Sequence, residues 1–270
     1  MKKHITNIIL FIFLLIGLGL LMYPFVSNYW NTLHQSKAIA TYVDEIKNID
    51  ENKYEKILNE ARNYNDKLLR KKTRWNLTIE EQQEYNNILK ISSTGVIGYI
   101  EIPQINVSLP IYHTVSDEVL QVAIGHIPGT SFPIGGKGTH CVLSGHRGLP
   151  SAKLFTDLDK LIVGDIFMIR VLDETLTYEI DQILIVEPTD ISSLEIDVEK
   201  DYCTLITCTP YGVNSHRLLL RGHRIENLEV EKEIKIVSEA IQIDPIIIAP
   251  ILATPILLIL LFILLFKKRK

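Results

Sequence analysis

Two long apolar stretches, one near each end, constrain this sequence more than any other feature. Ile8 to Val26 is a run of 19 residues without a charge, preceded by Lys2, Lys3 and His4. Wound as a helix at ~1.5 Å per residue, it spans roughly 28 Å, about one hydrocarbon core. Ile246 to Phe266 adds 21 apolar residues, followed by Lys267, Lys268, Arg269 and Lys270. Pro250 and Pro255 are expected to kink this second stretch without preventing it from spanning. Both basic clusters belong on the cytoplasmic side, so both termini are expected inside and residues 28–244 outside. Ala38-Ile39-Ala40 has the small-x-small look of a signal cleavage site. It lies about a dozen residues beyond the apolar run, too far for peptidase cleavage, so an uncleaved anchor is expected.

Charge then limits the exposed part. The 270 residues carry 28 Lys+Arg and 32 Asp+Glu, a formal net charge of -4. Setting aside the six basic residues at the two tips takes the balance to -10. An acidic surface excludes the concentrated basic stripe of a nucleic-acid binder; it suits basic partners or plain solubility. Cys141, Cys203 and Cys208 face an oxidising exterior in odd number, so at least one thiol stays free. Their spacing matches no zinc pattern, and no phosphate loop appears, so no metal and no cofactor is expected.

The exterior region divides in two. Over residues 28–91 the texture is helical. Tyr54, Ile57, Leu58, Ala61, Tyr64 and Leu68 recur at steps of three and four. Thr78-Ile79-Glu80-Glu81 is a capping-box pattern that opens a short helix. Between these helices lies the basic loop Arg70–Asn76, with one tryptophan. Beyond Gly95 short β-prone runs take over: 96–102, 107–112, 139–144, 166–172, 176–186, 202–208 and 217–221, punctuated by Gly, Pro, Asn and Asp. Residues 151–161 read as a short helix among them. Many short strands imply a closed barrel or a sandwich. The resulting division is 1–27 tip and anchor, 28–94 helical extension, 95–227 β domain, 228–245 linker, and 246–270 second span with its basic tail.

Cys208 is the thiol best placed for chemistry. It closes the strand-like run Thr204–Cys208 and meets the loop Thr209-Pro210-Tyr211-Gly212. Cys141 and Cys203 sit inside apolar runs and read as core, where a free thiol behaves as a small hydrophobe. A nucleophilic Cys needs a proton-transfer partner and donors for an oxyanion. His146 has the best setting, ending Cys141–His146 with a glycine on either side of the His-Arg pair. His216 and His223, which flank the last strand, remain alternatives. Arg217 begins that strand nine residues after Cys208. If the two strands run antiparallel, its guanidinium returns beside the thiol, where it could bind an oxyanion.

These same residues carry a resemblance. Thr204-Leu205-Ile206-Thr207-Cys208, followed by Arg217, resembles the TLxTC signature of sortases and their active-site arginine. Leu143-Ser144-Gly145-His146-Arg147-Gly148 resembles the sortase histidine segment. Ile100–Pro103, Leu109–His113, Gly125-His126 with Gly129–Ser131, and Leu154–Leu158 are similar to class C, pilin-polymerising sortases, as are the helical extension and the second span. The similarity covers residues 95–226 nearly continuously.

The resemblance implies a mainly β fold: an eight-stranded sortase barrel with an N-terminal helical extension and a transmembrane helix at each end. It implies a cysteine transpeptidase, with Cys208 as nucleophile, His146 as acid and base, and Arg217 as oxyanion and substrate ligand. Thr207 and Thr209, flanking Cys208, are candidate substrate contacts. The expected partners are pilin subunits with LPxTG-like sorting signals and the lipid membrane, with no nucleic acid, and the enzyme is expected to be monomeric. Class C sortases commonly carry an Asp-Pro-aromatic lid; residues 65–95 contain no such tripeptide. Arg74 and Trp75 are a candidate substitute, with Arg74 near the thiol and the indole over the cleft; the alternative is that Trp75 packs between helices or meets the membrane interface. Competing readings are a housekeeping-type sortase and a doubly anchored scaffold without activity. A papain-like peptidase would place its His far downstream of the Cys, and an L,D-transpeptidase would place its Arg closer to the Cys.

Overall fold

The computed structural model describes residues 2–71 and 73–227. The expected second span, 246–270, and the linker 228–245 lie outside the described residues. Three helices precede the sheet: α1 (Lys2–Lys47), α2 (Glu51–Leu69) and α3 (Ile79–Asn87). Helix α1 runs through Pro24 without a break, so the apolar anchor and the first part of the helical extension are one rod. At ~1.5 Å per residue its 46 residues measure about 70 Å. Its apolar half is not buried by any other described residue. Helix α2 starts where the Asp50 side chain accepts the Lys53 amide, and it buries Leu58, Ala61, Tyr64 and Leu68. The Thr78/Glu81 capping box opens α3 as the sequence pattern predicts.

Eight strands then close a barrel: β1 (Val96–Ile102), β2 (Val107–His113), β3 (Ile124–His126), β4 (Thr139–Ser144), β5 (Ile166–Val171), β6 (Glu174–Val186), β7 (Asp201–Thr209) and β8 (His216–Ile225). Their order around the barrel is β1-β2-β3-β4-β7-β8-β6-β5. Two neighbours, β2/β3 and β4/β7, are parallel. A one-turn helix, α4 (Asp117–Leu120), precedes β3. Seven strands fall where the alternation predicts them. β3 is three residues long and includes a glycine, too short for any period to show. Residues 151–161 are not the expected helix: they form turns with one 3-10 turn at Leu158–Lys160.

Because side chains alternate across a strand, β7 divides its residues between two clusters. Cys203 and Leu205 point inward with Cys141, Leu143 and Leu220. Ile206 points outward with Val142 and Leu219, against Leu194 from the β6–β7 connection. Helices α2 and α3 dock on the barrel through a stack of Tyr85, Phe132 and His126, with the Phe132 and His126 rings 4.8 Å apart and nearly parallel. Asn65 exchanges two hydrogen bonds with the Phe132 backbone. This docking carries the segment between α2 and α3 across the outer face of β4 and β7.

Candidate active site

The site lies at one end of the barrel, where parallel strands β4 and β7 both stop. Cys208 is the penultimate residue of β7, points to the outer face, and is partly exposed. Strand β8 runs antiparallel to β7, and Cys208 pairs in register with Arg217. Residues paired in register share a face, so the guanidinium stands on the thiol's side of the sheet.

His146 reaches the same level from β4. Ser144, the last residue of β4, pairs with Ile206, so His146 follows two residues beyond that pair on one strand and Cys208 two residues beyond it on the other. Two bonds fasten this turn to β7: the Gly145 amide donates to Ile206 O (3.1 Å), and the Thr207 hydroxyl donates to Gly145 O (2.8 Å). Phe155 N donates to His146 O at 3.1 Å, closing the turn from the other side. Gly145 is required by space: a Cβ there would stand 2.7 Å from Phe155 and 2.9 Å from Ile124.

Thr207 and Thr209 have the opposite facing from Cys208. Thr207 is buried and spends its hydroxyl on Gly145, and Thr209 accepts from Arg147 Nη1 at 3.2 Å. Both hydroxyls are therefore engaged in the site's frame, where the sequence reading expects substrate contacts. Arg147 also pairs with Asp159, tying together the histidine turn, the end of β7 and the segment after it. Sequence reading gives Arg147 and Asp159 no such role. Arg147 sits inside the histidine motif, but nothing in the sequence points to Asp159 twelve residues later.

Arg217 Nη1 donates to the carbonyls of Asn214 (3.3 Å) and His216 (3.1 Å), which fixes the guanidinium on the β7–β8 loop. His216 faces Glu187 at 3.3 Å. His223 pairs with Tyr202, at the opposite end of β7 from Cys208, which removes it as a proton-transfer candidate. His140 is buried and His113 half-buried, and desolvation pushes both rings down to about 4.

The segment between α2 and α3 crosses the outer face beside the cleft. Trp75 packs on the Val142, Leu194, Ile206 and Leu219 cluster. Ile206 stands two residues from Cys208 on the same face, about 7 Å along the strand. Arg74 lies elsewhere than the sequence reading places it. Its side chain is buried, donates to Leu194 O (2.7 Å), pairs with Glu195 (3.3 Å) and covers the Trp75 ring at 4.7 Å. Those partners belong to the connection preceding β7, level with His140 rather than with the thiol. Gly129 allows the close passage, since a Cβ there would overlap the Arg74 carbonyl oxygen.

Comparison with known proteins fits this geometry. The sortase domain family model matches residues 100–225. Sortase C1 from Streptococcus agalactiae is 54% identical, over 71% of this chain and 99% of that one, with a TM-score of 0.68.

The chain belongs to the sortase family.

Sortase C from Clostridium perfringens, solved with the C-terminal cell wall sorting motif, is 41% identical over 71% of this chain and 99% of that one, with a TM-score of 0.63. Sortase D of Bacillus subtilis (strain 168) is 31% identical over 131 residues. This chain spans 63% of the length of that relative. The sortase match begins within β1 and ends with β8, so it covers the barrel and every candidate catalytic residue.

Proposed function

We propose that this sortase is a membrane-anchored cysteine transpeptidase of the class C type, which joins pilin subunits through their sorting signals. The in-register pairing of Cys208 with Arg217, beside a histidine turn bonded to β7, carries the reading. The 54% identity to a sortase C1, and the C. perfringens sortase C solved with a sorting motif, support the class.

In this reading the Cys208 thiolate attacks the carbonyl carbon of the Thr–Gly bond in an LPxTG-like signal. Arg217 is anchored through Nη1, and its other N–H groups are available to the oxyanion and the substrate backbone. His146, as imidazolium, gives its proton to the departing Gly amine, and the C–N bond breaks. An acyl thioester remains on Cys208. The amine of a pilin lysine gives a proton to His146 and attacks the thioester. The thiolate leaves, and an isopeptide bond remains. One amide is broken and one is made, so the cleft must exclude water rather than supply energy. The N-terminal rod anchors the enzyme, with its basic tip inside and the barrel outside. Residues 73–77, bearing Trp75, act as a strap over the cleft wall.

The full chain in detergent, incubated with an LPxTG-type peptide, tests this by intact-protein mass. The expected result is an acyl adduct on the wild type and none on Cys208→Ala. Peptide cleavage by the variant at an undiminished rate would overturn the assignment. A lysine peptide added to the acyl-enzyme should discharge it faster than water does.

A further inference from the structure

We propose that the barrel end bearing Cys208 lies on the bilayer surface and seats a rim of exposed apolar side chains in the lipid headgroup region. This rests on reading the apolar half of α1 as a membrane anchor.

One stripe of α1 fixes the orientation. Asn28 accepts from Lys153 N at 2.8 Å, Asn31 donates to Ser151 O at 2.8 Å, and Gln35 donates to Val122 O at 2.7 Å. Tyr42, further along the same face, bonds Ile97 O and Leu172 N. Residues 151–153 and 122 belong to the barrel end where β4 and β7 stop. Ile97 and Leu172 belong to the other end. The helix therefore crosses the full height of the barrel, and its apolar half projects past the Cys208 end. The apolar run stops at Val26, and Asn28 already touches the barrel. Two residues of helix rise about 3 Å. Exposed Tyr23, Tyr29 and Trp30 stand on the rod at this level, on the side away from the barrel, where aromatic side chains mark a lipid–water interface. No length of chain separates that interface from the end of the barrel.

The same end is apolar. Ile162, Val163, Ile185, Tyr211 and Val213 are between 59% and 69% exposed. They come from the turn before β5, the end of β6 and the β7–β8 loop. A recess of about 330 Å³ lies among these elements, lined in part by Leu161, Ile185, Pro210 and Tyr211. Nearby charges are engaged in ion pairs: Lys153 and Lys160 both pair with Asp157 (2.7 and 2.9 Å), and Arg147 pairs with Asp159. A rim of this kind binds by apolar insertion, with little demand for anionic lipid. Cys208 points to the barrel's side wall, so the cleft stays open parallel to the membrane.

The full chain carrying Cys208→Ala leaves only the buried Cys141 and Cys203, so a nitroxide can be directed to one introduced cysteine. Labels go at Val163→Cys and Val213→Cys on the rim, Lys137→Cys at the far end, and Leu20→Cys in the anchor. In phosphatidylcholine nanodiscs, collision with oxygen is compared with collision with a water-soluble nickel chelate. The expected oxygen-to-nickel ratio at 163 and 213 is severalfold above that at 137, and adding anionic lipid leaves it unchanged. A ratio at 163 and 213 equal to that at 137, with Leu20→Cys still in lipid, overturns the docking and leaves the rim to a protein partner. An aqueous signal at Leu20→Cys refutes the anchor reading, and the docking with it.

Discussion

On β4, His140 Nδ1 donates to Glu195 O at 2.9 Å, while Nε2 accepts from the Thr204 hydroxyl at 2.7 Å. Only a neutral ring can do both. Burial pushes its pKa to about 4, and Arg74 and Arg221 push the same way. In the unfolded chain the ring titrates near ~6.5. As pH falls below that value, the unfolded state takes up the proton first. Stability is therefore complete above about 6.5 and is lost down to about 4. The loss is of order ~3 kcal/mol for this residue. Urea midpoints should fall between pH 7.5 and pH 5. His140→Gln should start from a lower midpoint at pH 7.5 and fall less. Legibility at this scale followed local context. Cys208, His146 and Arg217 stand out in the sequence because each lies where a strand-like run meets a loop, with Gly145 beside His146 and Pro210 two residues past Cys208. The inward facing of Thr207 was not readable, because at a strand end the pleat phase depends on the neighbouring strands. Arg74 was misplaced for a similar reason: its partners Leu194 and Glu195 lie 120 residues away, and no local pattern links them.

At the scale of elements, the segment between α2 and α3 shows how an irregular stretch gains a fixed course. Its Trp75 joins the outer cluster, and Arg74 caps the indole from behind. The sequence leaves this ring over the cleft, between helices or at the membrane interface; in the structure it packs on the outer cluster of Val142, Leu194, Ile206 and Leu219. Trp75→Ala should speed acyl-enzyme formation severalfold, read by intact mass over time. Its thermal stability should drop by about 1–3 kcal/mol for lost apolar burial. A stability loss with no change in acylation would mean that the ring only packs. Elements with clear periodicity were legible: α2, the α3 cap and seven strands. β3 was not, because three residues cannot display a period. Residues 151–161 mislead because Leu154, Leu158 and Leu161 recur at helical steps, yet they enter the barrel core from turns. The parallel pairing of β4 with β7, which brings the ends of both strands together, depends on a long crossover and leaves no mark in the local sequence.

For the molecule as a whole, the decisive contact is between the N-terminal rod and the barrel. The Tyr42 hydroxyl donates to Ile97 O (3.2 Å) and accepts from Leu172 N (2.8 Å), joining α1 to two barrel segments at once. Tyr42→Phe leaves both backbone groups buried without that partner and should cost about 1–3 kcal/mol. Hydrogen exchange should then show earlier opening of residues 28–47 while the barrel keeps its protection. Uniform destabilisation of the barrel would count against a separable rod.

A rod with no slack also changes how such an enzyme meets its substrates. A catalytic domain on a flexible leash sweeps a hemisphere, and its encounters depend on leash length. Here, with the apolar half of α1 in a bilayer, the thiol is held at one height and can only drift sideways. Encounter becomes a problem of lateral diffusion. Its rate then follows the number of substrate molecules per unit area of membrane, and diluting the surrounding medium leaves it unchanged.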